Sequence, residues 1–180
     1  MISIDSNIKE LTRDLTNVQK KLIPQVASRA INRTARTVFT RLKRQIAKDT
    51  GLKQKEIASR FTLIKSNKST LSALVRMIGR WFNLARFGAK QFKGGVKASA
   101  WGQRKMYRGA FIANKGRTVF ALTPGARRNK TRLPIKALVG PNPSREFNKQ
   151  TRDPRFNTTV INDFKKNFSA DLKYRLGKLK

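Results

Sequence analysis

GAFIANKGRTVFALTPGARRNKTRLPIKALVGP, residues 109–141, is the stretch from which the rest of the chain can be read. Gly109–Ala113 and Thr118–Leu122 have the composition of two short strands. Asn114-Lys115-Gly116-Arg117 between them reads as a hairpin turn, with Gly116 where a positive φ is needed. Thr123-Pro124-Gly125 stops the second strand, because proline brings no N–H to a ladder and Pro-Gly favours a turn. A basic loop follows, with Arg127, Arg128, Lys130 and Arg132 and no acid among them. Leu133–Val139 returns as a third strand, closed by Gly140-Pro141-Asn142-Pro143. Apolar strands that can enter a core thus carry cationic loops that cannot.

Working outward, the same imbalance governs the chain. Its 180 residues suffice for one core, and a hydrophobic content of 38% separates it from a disordered polycation. A formal charge of +33 repels itself in a compact monomer, so a polyanion or close neighbours are expected in the working state. No Asp or Glu lies between Glu56 and Glu146, which leaves the middle of the chain facing a polyanion. Cysteine and histidine are absent, excluding disulfides, thiolate sites, the usual triads and most zinc sites. No Walker-type loop, paired carboxylate motif, transmembrane run or signal peptide is found, and an intracellular product is expected. No catalytic residue, metal site or cofactor is therefore predicted. Among enzymes, a nuclease or recombinase would have Tyr107, between Lys105 and Arg108, as its one attractive nucleophile.

Before the hairpin, Ile4, Ile8, Leu11, Leu15, Val18 and Leu22 recur at alternating spacings of four and three. This is a helical seam, with Asp5 or Ser6 at its cap. It fits packing within its own domain, or against a neighbouring subunit through Ile8, Leu11, Leu15, Val18 and Leu22. Pro24 suits the first turn of a second helix running to about Lys48, its apolar face formed by Ala27, Ala30, Ile31, Thr34, Val38, Leu42 and Ile46. Asp49-Thr50-Gly51 ends it. Leu52–Phe61 reads as a short helix, and residues 62–64 and 71–78 as strands.

Between 79 and 108, Trp81, Phe82, Phe87, Phe92 and Trp101 alternate with Arg80, Arg86, Lys90, Lys93 and Lys97. Such interleaving serves stacking on single-stranded nucleic acid, or else anchors loops on a sheet while the cations stay solvated; the second reading is preferred. Residues 94–100 read as extended, and 102–108 as a basic, mobile approach to the hairpin. After Pro143 a polar, turn-rich connection leads to a helix capped by Asn157 or Thr158. Its apolar face is Ile161, Phe164, Phe168, Leu172 and Leu176.

The prediction is an α+β fold: N-terminal helices, a central mainly antiparallel β-sheet with basic hairpin loops, and a C-terminal amphipathic helix. Within one expected domain, residues 1–50 form the N-terminal helical region, 51–156 the β-rich basic core, and 157–180 the helix packed on the sheet.

In these segments the chain resembles the minor tail protein Z family of long-tailed bacteriophages and prophages, typified by phage lambda. The resemblance is carried by the seam followed by Ala30-Ile31-Asn32-Arg33, by Gly109-Ala110-Phe111-Ile112, by Lys115–Phe120, and by Leu133-Pro134-Ile135-Lys136 running into Pro141 and a final amphipathic helix. Residues 79–100, with two tryptophans, depart from the lambda pattern. The resemblance implies a tail-completion protein of the virion, assembled in the host cytoplasm and placed at the head-proximal end of the tail. It implies a ring, sixfold to match the tail tube, beside the tail terminator and the head-completion or neck proteins, with no membrane partner. Contact with the phage genomic DNA would then be sequence-blind, through Arg117, Arg127, Arg128, Lys130 and Arg132, with Arg104, Lys105 and Arg108 as second candidates. The competing reading is a free, sequence-nonspecific nucleic-acid-binding protein of the ribosome or nucleoid.

Overall fold

The computed structural model describes residues 4–123 and 135–178, with the backbone alone for residues 4–19. In chain order the elements are α1 (Ile4–Thr50), α2 (Gln54–Ala58), β1 (Phe61–Ile64), β2 (Leu74–Met77), a 3₁₀ turn (Leu84–Phe87), β3 (Lys90–Phe92), β4 (Gly95–Ala100), β5 (Gln103–Arg108), β6 (Ala110–Ala113), β7 (Thr118–Leu122), β8 (Ile135–Ala137), α3 (Pro143–Arg152) and α4 (Pro154–Gly177). The fold is α+β, with helices at both ends and antiparallel sheets in the middle. The strands form three small sheets, β1-β2, β3-β4-β5 and β6-β7-β8, rather than one continuous sheet.

Two expected helices are one. α1 runs unbroken for 47 residues with Pro24 inside it. Proline removes one i→i−4 bond, but the turns on either side keep theirs, and burial of Val26, Ser28 and Ala30 just beyond holds the helix. Asp5 and Ser6 lie within α1 rather than at its cap. From Val26 onward the buried row is Val26, Ala30, Thr34, Val38, Leu42, Ile46 and Thr50, close to the expected apolar face.

The chain divides into two compact units. One comprises the chain to Thr40, Thr62–Arg76 and the chain from Asp153. Here the β1–β2 connection is tied to α1 at buried Ser66. The Ser66 carbonyl accepts from Ser28 Oγ (3.2 Å) and Asn32 Nδ2 (2.9 Å), and its N–H donates to Asn32 Oδ1 (2.8 Å). α4 is capped by Asp153, whose carboxylate accepts from the Arg155 N–H at 2.9 Å, with Pro154 in the first turn. That is earlier than the expected Asn157 or Thr158 cap, because an Asp-Pro pair satisfies the helix end first. Along α4, Asn167 Nδ2 donates to Thr34 Oγ1 (3.0 Å) and Arg175 Nη1 to Gln25 Oε1 (3.3 Å). Of its expected apolar face, Phe164, Phe168 and Leu172 are half-buried while Ile161 and Leu176 are exposed.

The other unit comprises Arg41–Phe61 and Met77–Arg152. Its core is Leu42, Ile46, Leu52, Ile57, Phe82, Leu84, Phe87, Val96, Ala98, Ala100, Ala110 and Val119. The hairpin that opened the sequence reading is present as expected. β6 and β7 pair Ala110 with Ala121 through Ala113 with Thr118, and Gly116 has φ +81°. Asn114 and Lys115 in the turn also adopt positive φ. β8 pairs with β7 from Phe120↔Ala137 to Leu122↔Ile135. Val139 continues past it in a single bridge to Asn83, while Leu133 and Pro134 lie outside the described residues. Asn83 fastens the 3₁₀ turn to this sheet: its Oδ1 accepts from Val119 N (2.8 Å) and from Ala85 N (3.0 Å).

Two further segments differ from expectation. Residues 143–152, expected as a turn-rich connection, form α3. Asn142 Oδ1 caps it through the Ser144 N–H (3.0 Å), Pro143 occupies its first turn with Glu146, and Lys149 and Arg152 sit near its end. Those are helix signals that polar composition masks. Residues 103–108, expected only as a basic approach to the hairpin, form β5, paired with β4 over six positions.

Candidate nucleic-acid interface

The β3-β4-β5 sheet brings four cations, Lys90, Lys97, Arg104 and Arg108, together on one surface. β4 and β5 are joined by Trp101-Gly102, both at positive φ (55° and 70°), the geometry of a two-residue hairpin turn whose twist matches the strands. The C-terminal end of α1 locks this hairpin. The Trp101 N–H donates to the Thr50 carbonyl at 3.1 Å. Thr50, fully buried, donates its hydroxyl to Ile46 O at 2.6 Å. At Gly51, φ is +76°, and a Cβ there would stand 2.5 Å from the Ser99 carbonyl, so glycine alone permits the approach. On the other side Gln91 binds two neighbours: Nε2 donates to Gly95 O (3.2 Å), and Oε1 accepts from the Ile112 N–H of β6 (2.8 Å).

The alternation of side chains then sorts the residues. In an antiparallel sheet, directly opposed residues share a face. Gln91, Val96 and Tyr107 are in register, as are Ala98 with Lys105 and Ala100 with Gln103. Val96, Ala98 and Ala100 are at most 1% exposed, so this is the inner face, lying against the 3₁₀ turn. The outer face holds Lys90, Lys97 and Met106 in one row, Phe92, Gly95 and Arg108 in the next, and Ser99 with Arg104 in a third. Lys90, Phe92, Lys97, Arg104, Met106 and Arg108 are all exposed. No carboxylate can come from any of these strands, because residues 57–145 contain none. Lys90 stands directly opposite Lys97, a like-charge pair that destabilises a sheet left to itself. The Lys97 ammonium instead lies over the Phe92 ring, 4.9 Å from its centroid.

Two other cations of this unit are engaged elsewhere. Arg86 pairs with Glu56 at 3.0 Å, and Arg60 lies 5.1 Å over the Phe82 ring. Burial raises the Tyr107 phenol above its ordinary range, away from the phenolate a nucleophile needs. No group of three or more potential metal ligands occurs among the described residues.

The expected contact residues therefore separate. Arg104 and Arg108 belong to the cationic face; Lys105, though exposed, projects from the opposite face of the same strand. Arg117 is exposed on the β6–β7 turn. Arg127, Arg128, Lys130 and Arg132 lie outside the described residues. Ile8, Leu11, Leu15 and Val18 fall on the part of α1 described as backbone, and Leu22 is half-buried. Lys90 and Lys97 belong to the face and were not among the expected contacts. The aromatic–basic interleaving held the signal, but it needed strand alternation to be read. That same interleaving divides in the structure: Phe82 and Phe87 are buried, as anchoring required, whereas Trp81, Phe92 and Trp101 are exposed.

A concavity lies in the α1–α4 unit, a groove of about 430 Å³ lined by Ile31, Val38, Val75, Ile161 and Phe164 among others. Its lining carries no titratable side chain, and the Thr34 hydroxyl in it is held by Asn167. This groove has no means for acid–base or nucleophilic chemistry. No helix among the described residues is long and apolar enough to cross a membrane.

Comparison with known families gives one finding of weight. The family profile described as "Prophage minor tail protein Z (GPZ)" matches residues 7–179, nearly the whole chain. No curated protein and no solved structure matches it.

Proposed function

The chain belongs to the prophage minor tail protein Z family, a structural part of the phage tail, and from that premise we propose how it acts. It completes the tail at the head-proximal end as a ring of identical subunits, six to match the tail tube. There it sits beside the tail terminator and the head-completion or neck proteins. Its cations turn toward the genomic DNA end that passes through the collar or is held in it.

The observation that carries this reading is the outer face of β3-β4-β5, where Lys90, Lys97, Arg104 and Arg108 are exposed without an acid on their strands. Phosphate contact by such a face is independent of sequence and weakens steeply with salt, as the handling of packaged DNA requires. Arg117, Arg127, Arg128, Lys130 and Arg132 extend the same chemistry to the lumen or its rim. The seam of Ile8, Leu11, Leu15, Val18 and Leu22 is assigned to contact between neighbouring subunits.

The test is made in assembled particles. With Arg104 and Arg108 changed to Gln, and separately Arg127 and Arg128 to Ser, tails are expected to assemble and join heads but to hold or eject DNA poorly. Normal DNA retention with failed joining would instead assign these cations to acidic faces of neighbouring tail proteins.

A further inference from the structure

Phe92 is unexpected on a surface that otherwise serves charge. It is 41% exposed, two residues from Lys90 on the same face and covered in part by the Lys97 ammonium. Met106, 39% exposed, stands opposite Lys97 in register and is the other apolar group there. Duplex phosphates ask only for cations. An aromatic ring in water costs solvation and adds nothing to phosphate contact, since a duplex hides its base faces in the stack. An unpaired strand presents those faces, and stacking on an aromatic side chain is its usual anchor.

We infer that the outer face of β3-β4-β5 binds an unpaired nucleic-acid strand, a base stacking on Phe92 while Lys90, Lys97, Arg104 and Arg108 hold the flanking phosphates. Sheet geometry suits this. Same-face neighbours along a strand are about 6.7 Å apart and adjacent strands about 4.8 Å. Lys90 and Lys97 are thus within one or two spacings of the ring, and Arg108 is two strands across from it in the same row. The Lys97 ammonium over the ring shows that the ring face is open to a partner. An incoming base takes that place and frees Lys97 for phosphate. The inference rests on the DNA-contact reading above and narrows it to the unpaired state of the strand.

The full chain is titrated, by fluorescence anisotropy, with a labelled oligodeoxythymidine and with a blunt duplex of equal length. Phe92→Ala is expected to weaken oligodeoxythymidine binding about tenfold, the loss of one stacked base, and to leave duplex binding unchanged. Phe92→Trp is expected to retain both, and an unchanged melting temperature for each variant checks the fold. A Phe92→Ala effect that is nil, or equal on both ligands, overturns the inference. In that event, duplex binding that still falls in Lys97→Gln and Arg104→Gln leaves the DNA-contact reading standing. A wild-type chain that binds neither ligand overturns both.

Discussion

β3-β4-β5 and β6-β7-β8 are both three-stranded antiparallel sheets with strands in sequence order, and both belong to the same compact unit. Each has an inner face of small or branched residues, Val96 and Ala98 in one, Val119 with Ile112 in the other. Their second faces differ. On β6-β7-β8, Phe111 and Phe120 are cross-strand partners with stacked rings, centroids 6.0 Å apart, next to Ala137 in register. On β3-β4-β5 the equivalent positions carry Lys90 against Lys97, with Arg104 and Arg108 beyond. Aromatic pairs across strands contribute to stability, whereas like charges across strands subtract from it. One sheet therefore strengthens the fold, and the other gives up some stability for a surface that a polyanion can neutralise.

Changes that break the support of the cationic sheet are expected to have the largest effect. Gly51→Ala forces a side chain into φ +76° and against the Ser99 carbonyl, where α1 meets the β4–β5 hairpin. A loss of roughly 3 kcal/mol follows, lowering the melting temperature by roughly 6–12 °C in calorimetry. An unchanged melting temperature would mean that the helix end does not hold the hairpin. A smaller effect separates the two sheets. Phe111→Ala is expected to cost roughly 2 kcal/mol, less than a fully buried ring, because Phe111 is half-buried. It should leave the salt dependence of DNA binding untouched, and a changed salt dependence would erase the contrast between the sheets.

Much of this arrangement is legible in the residues. The Gly116 turn, the apolar runs Ala110–Ala113 and Thr118–Leu122, the Gly51 stop and the acid-free middle all follow from local chemistry. What is not legible depends on partners distant in sequence. Pro24 reads as a break until the burial of Val26 and Ala30 is known. Arg104, Lys105 and Arg108 read as one basic cluster. Only pairing with β4 reveals that Lys105 shares a face with Ala98 while the two arginines share one with Lys97 and Ser99 or Gly95. Asn142-Pro143 held a helix start that polar composition concealed.

In the proposed role, position on the sheet, rather than charge alone, decides which cations meet phosphate. The direct measurement is the slope of log K against log salt for duplex binding by the full chain. Replacing Lys90, Lys97, Arg104 and Arg108 together by Gln should make that slope shallower by about 3.6, at about 0.9 per phosphate contact, while Lys105→Gln should change it by well under one. Equal loss of slope per charge at Lys105 and at the four outer-face positions would contradict the account.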